Sequence, residues 1–131
     1  MVTALGKYLR KLRIDKGEVL FDMARKLNVS PSFLSAVENG NKRMPPKWNE
    51  FLPSLYSLSA SDMEEFTAAI AESESGIAID FRPLGMEQRR LGVALARKIP
   101  TLTPEQTREL QALLFDEVQS GAALGKDNNR R

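Results

Sequence analysis

The sequence predicts an all-α fold, and three observations carry that prediction. Apolar residues recur at helical spacing along most of the chain, from Leu5, Leu9 and Leu12 near its start to Leu110, Leu113, Leu114 and Val118 near its end. Helix start and stop signals stand in register with those stripes, most densely between Leu20 and Gly40. Only one short segment, Ile77–Phe81, alternates with the period of a strand.

The first helix is expected from Thr3 or Ala4 to Lys16, with Leu5, Tyr8, Leu9 and Leu12 facing inward and Gly17 ending it. Residues 20–40, LFDMARKLNVSPSFLSAVENG, read as two short amphipathic helices joined by a tight turn. Met23, Ala24 and Leu27 form the first apolar stripe, Val29 fills the turn, and Leu34 and Val37 form the second. Ser30 is placed to cap the second helix, and Pro31 falls at its first position, where a missing N–H costs nothing. Gly40 stands just past the last periodic residue, where a left-handed residue is wanted. Ala24 on the inner face lets the two helices cross closely, as a helix-turn-helix requires to project its second helix into a groove of DNA.

A charged loop, Asn41 to Pro45, leads to a fourth helix carrying Trp48, Phe51, Leu52, Leu55 and Leu58, which Pro53 should kink or shorten. Ser59 or Ser61 caps a fifth helix, with Asp62 or Glu64 three residues on and Met63, Phe66, Ala69 and Ile70 inward. Ser75-Gly76 breaks the period. Ile77–Phe81 is then either a short strand, pairing with its copy in a second subunit, or an extended connector. A sixth helix spans about Met86 to Lys98, with Leu91, Leu95 and Ile99 apolar. Thr103-Pro104-Glu105-Gln106 is a complete helix start. The seventh helix should run to about Ser120 and bury Leu110, Leu113, Leu114 and Val118, leaving 121–131 as a frayed tail.

At 131 residues the chain suffices for one domain, or for a small domain with an appendage. No apolar run approaches the roughly 20 residues of a membrane helix and no signal-peptide-like start is visible, so a cytoplasmic protein with no membrane partner is expected. Cysteine and histidine are both absent, which removes disulfides, Cys/His metal sites, thiol nucleophiles and imidazole bases. No enzyme, cofactor or metal is expected. The densest acidic cluster, Asp62, Glu64 and Glu65, falls in the first turn of a helix, where the macrodipole accounts for it.

Charge is segregated along the chain. Residues 1–58 hold ten Lys/Arg against five Asp/Glu, residues 59–81 hold six acids and no base, and residues 82–131 hold nine bases against six acids. A basic first half followed by an acidic stretch suits a DNA-facing domain whose acidic parts turn away from phosphate.

The pattern Met23-Ala24 through Val29-Ser30, Leu34-Ser35 and Glu38-x-Gly40, with Leu9-Arg10-x-Leu12-Arg13 and Gly17 upstream, resembles the phage-repressor (Cro/repressor, XRE) family of helix-turn-helix regulators. The resemblance implies a lambda-repressor-like domain of four to five helices over residues 1–58. Residues 59–120 then form a helical extension with one short strand, the material for dimerisation. It also implies that Pro31, Ser32 and Ala36 read base edges, that Asn39, Lys42 and Arg43 touch the backbone or groove edge, and that Arg13 and Glu38 form a partly buried ion pair. Leu20 departs from the glutamine usual there, so its phosphate contact must come from elsewhere.

On the second helix, Leu34 and Val37 face inward, leaving Ser32, Phe33, Ser35, Ala36 and Asn39 on the outer face. Phe33 either offers apolar contact to a thymine methyl or packs against the preceding helix. Lys42, Arg43 and Lys47 are the leading phosphate contacts, with Lys7, Lys11 and Lys26 secondary. The expected function is sequence-specific regulation of transcription as a repressor on a pseudo-palindromic site, bound as a homodimer through Ile77, Ile79, Phe81, Leu91 and Leu95. The alternative is an antitoxin that silences a toxin partner, with the acidic 59–81 stretch meeting a basic protein, and represses its own operon.

Overall fold

Seven α-helices and no strand make up the described residues of the computed structural model, which covers the backbone of residues 1–124 and side chains through Phe115. Two compact units divide the chain, Met1–Ala78 and a second beginning at Ile79.

The first unit is built around α1 (Ala4–Lys16). Thr3 caps α1, its hydroxyl accepting the Gly6 N–H, and Gly17 closes it in the left-handed region at φ 67°. The helices α2 (Leu20–Lys26) and α3 (Pro31–Glu38) follow, joined by a turn in which Asn28 adopts φ 61° and Val29 N–H donates to the Ala24 carbonyl. Ser30 caps α3 by accepting from Phe33 N–H at 3.0 Å. Met23, Ala24, Leu27, Leu34 and Val37 are buried together with Leu5, Leu9 and Leu12, so the two stripes read from the sequence meet on α1.

The helix α4 (Trp48–Tyr56) contains Pro53 and stops three residues after it, with Ser57 left-handed at φ 50°. Trp48, Leu52 and Tyr56 are its buried face. Phe51, expected inward, stands 42% exposed, because one residue before Leu52 on so short a helix points away from the buried row. Ser59, rather than Ser61, begins α5 (Ala60–Ser73) in a reciprocal capping box with Asp62. Hydrogen bonding from Ser59 to the carboxyl, from its backbone N–H first and then its side chain, holds Asp62 below the usual range. Phe66, Ala69 and Ile70 are buried and Met63 half-buried. Tyr8 of α1 stacks on Phe66 with centroids 5.6 Å apart, and its hydroxyl donates to the Asp62 carbonyl. Burial, then the charges of Asp62 and Glu65, push the Tyr8 hydroxyl up to about 12. At the other end of α5 the Ser73 hydroxyl accepts the Leu5 N–H at 2.8 Å. The fifth helix therefore belongs to the core of the first unit, and the break falls after Ala78 rather than after Leu58.

A polar cluster ties the α1–α2 connection and α2 to α4. Glu18 takes a hydrogen bond from the Tyr56 hydroxyl at 2.7 Å and pairs with Lys26, whose ammonium lies 5.0 Å from the centre of the Tyr56 ring. Burial opposes ionisation of Glu18, but the hydrogen bonds from Lys26 and Tyr56 outweigh it and hold the carboxyl below its ordinary value. Burial and the Glu18 partner raise the Tyr56 hydroxyl. Because the folded Glu18 is the stronger acid, its contribution is complete above the ordinary value of 4.5 and is lost as pH falls through the lower folded value. Glu18→Gln is expected to lower the thermal midpoint at pH 7 and to narrow its gap from wild type as pH drops towards 3. A gap independent of pH would remove the ionised Glu18 from this account.

In the second unit, α6 (Met86–Lys98), a 3₁₀ turn (Ile99–Thr101) and α7 (Pro104–Leu124) follow one another. Gln88 accepts from Gly85 N–H to start α6, and Thr103 and Gln106 cap α7 reciprocally. The segment Ile77–Phe81 forms no strand. A lone extended segment has no ladder to join within the described residues, so it serves as a connector. Phe81 is half-buried, its ring lying where a side chain at Gly92 would otherwise sit, 3.0 Å from the Cβ position. The burial expected for this region is not found. Leu91 and Ile99 are 66% and 57% exposed, Leu95 is half-buried, and Leu110, Leu113 and Leu114 are exposed. The seventh helix also runs past Ser120 to Leu124. Residues 125–131 and the side chain of Val118 lie outside the described residues.

Candidate nucleic-acid interface

The helix α3 has one side fixed and one side open. Leu34, Val37 and Glu38 are buried, whereas Pro31 and Ser32 at its capped start are exposed. Its C-terminal end is held on α1 by backbone and side chain together. The Glu38 carbonyl accepts from Thr3 N–H at 3.0 Å and from the Thr3 hydroxyl at 3.1 Å. The Glu38 carboxylate, 2% exposed, takes a two-pronged contact from the buried Arg13 guanidinium, one prong being the Nη2–Oε1 bond at 3.3 Å. Arg10 adds a second guanidinium, its Nε 3.6 Å from Oε1, and Arg13 also donates to the Met23 sulfur. Glu38 is thus part of the scaffold, and the structure brings the expected pair Arg13 and Glu38 together.

The outer face is more selective than the sequence suggests. Phe33 is turned towards the protein: its ring meets Trp48 edge-on at 6.3 Å, and it packs on the core. Asn39 folds its amide back on Ser35, donating to the carbonyl at 2.9 Å and to the hydroxyl at 3.4 Å, so both residues are half-buried. Ala36 is half-buried, and its carbonyl accepts from Asn41 and Lys42 N–H groups. The open group is therefore Pro31 and Ser32, followed along the chain by exposed Lys42, Arg43 and Lys47.

Arg43 is exposed yet engaged, its guanidinium donating to the Gly76 carbonyl at 3.1 Å. Of the secondary lysines, Lys11 pairs with Glu65 and Lys26 with Glu18, whereas Lys7 is exposed. Sequence reading missed Thr3 and Gly6 as the seat of the α3 terminus. Thr3 entered only as one of two starts for the first helix, and nothing local marks Gly6 as a crossing point. No group of acidic residues among the described residues is arranged to hold a metal. No helix among them is long and apolar enough to cross a membrane. Comparison with family models, with curated proteins and with solved structures finds no match.

Proposed function

We propose that this chain is a sequence-specific DNA-binding regulator of the phage-repressor helix-turn-helix kind, acting as a repressor that occupies a two-fold operator as a dimer. The observation carrying this reading is the asymmetry of α3. Its inner side is locked to α1 through buried Glu38, while its capped start presents Pro31 and Ser32 to solvent, with exposed Lys42 and Lys47 beyond its end. A helix so held can lie in the major groove with its first turn against base edges while the lysines neutralise phosphate. Ser32 is the one hydrogen-bonding side chain at that front. Specificity on this reading leans on thymine methyls, on DNA shape and on half-site spacing.

Footprinting of duplex DNA around the gene's own start tests it, and a two-fold symmetric protected region is the expected result. Binding that depends on salt alone and ignores sequence would overturn the reading. Lys42→Ala is expected to weaken binding to all sequences alike and to reduce the slope of log K against log salt by about 0.9. An unchanged slope would remove Lys42 from the phosphate contacts.

A further inference from the structure

None of residues 79–115 is buried. Very small units usually need disulfides, a metal or association to hold together. The sequence contains no cysteine, and the described residues include no metal-holding group. Association remains, and the surface it would cover spans both helices: Leu91 is 66% exposed on α6, and Leu113 and Leu114 are each 63% exposed on α7.

Charge identifies the occupant. Along the sequence α6 carries Arg89, Arg90, Arg97 and Lys98 against Glu87, whereas α7 carries Glu105, Glu109, Asp116 and Glu117 against Arg108. The two helices are opposite in sign and equal in imbalance. A partner of uniform charge would suit one and repel the other. A second copy turned by a two-fold axis suits both, because α6 of each copy then meets α7 of the other. Pairing like with like would instead set basic helix against basic helix and acidic against acidic. We propose that a second copy of this chain covers this unit in that crossed arrangement; the inference rests on the dimer reading above and specifies how the dimer is made.

Sedimentation of the full chain at micromolar concentration tests it, using two charge-reversed variants, Arg97→Glu/Lys98→Glu on α6 and Glu105→Lys/Glu109→Lys on α7. Wild type is expected to sediment as a dimer. Each variant alone is expected to raise the dimer dissociation constant at least tenfold. An equal mixture of the two, one carrying a heavier tag, should form mixed dimers near wild-type affinity, since every α6 then meets an α7 of opposite sign. Helix content by circular dichroism accompanies each sample, and recovery of helicity on mixing counts as rescue if a variant is poorly folded alone. A wild-type dimer whose variants are unaffected, bind more tightly, or fail to rescue each other would overturn the crossed pairing and leave the dimer standing. A monomeric wild type would overturn both.

Discussion

Glu38→Ala is expected to lower the free energy of unfolding by about 3–5 kcal/mol, the range found when one partner is removed from a buried ion pair. The loss comes from what stays behind. Arg13 is 7% exposed and cannot reach water without disturbing the core, so its guanidinium would lose its carboxylate partner and keep the weak bond to the Met23 sulfur. The methyl of alanine would also leave a gap between α1 and the end of α3. In a unit of this size each kcal/mol moves the thermal midpoint by roughly 4–8 °C, so the transition should fall by more than ten degrees. Thermal denaturation followed by circular dichroism measures it. Arg13→Met combined with Glu38→Leu should recover much of the loss, because no unpaired charge then remains. An unchanged midpoint for Glu38→Ala would return Glu38 to the surface.

Gly6→Ala is expected to destabilise although it replaces glycine within a helix, where alanine ordinarily gains about 0.5–1 kcal/mol. A Cβ at Gly6 would overlap the Glu38 carbonyl oxygen and lie 2.8 Å from Val2 Cγ1. The carbonyl belongs to the backbone and accepts from Thr3, so it cannot swing aside as a long side chain could. Overpacking of this kind costs about 1–3 kcal/mol or more, which exceeds the gain in helix propensity. Separation of α1 from α3 should follow, with loss of the Thr3 bonds to Glu38. Gly17→Ala is the comparison: nothing lies within 4 Å of its Cβ position, and its cost comes from the left-handed backbone alone. A Gly6→Ala protein as stable as wild type would mean that the two helices part without penalty.

How far these features could be read in advance follows the range of the interactions involved. Caps are local, so Ser30 on Phe33 N–H, Ser59 with Asp62 and Thr103 with Gln106 were legible from three-residue spacings. The inward stripe of the paired helices was legible for the same reason. Periodicity says which side of a helix is apolar and not what will cover it. Leu113 and Leu114 therefore looked like core and stand in solvent, while α5 looked like an appendage and packs on α1. The orientation of Phe33 depended on Trp48, fifteen residues away, which no local pattern supplies. Alternation in Ile77–Phe81 fits any extended backbone, and only a pairing partner turns it into a strand.

The hydrogen bond from Leu5 N–H to the Ser73 hydroxyl joins residues 68 positions apart. During synthesis, one of the opening amides of the first helix waits for a hydroxyl that emerges only when nearly the whole first unit has left the ribosome. Tyr8 waits likewise for Phe66. A nascent chain halted at Leu58 would hold all of α1 to α4 and still leave the side of its first helix that meets α5 uncovered. Completion of α5, rather than of α3, supplies the last partner of the first helix's buried side.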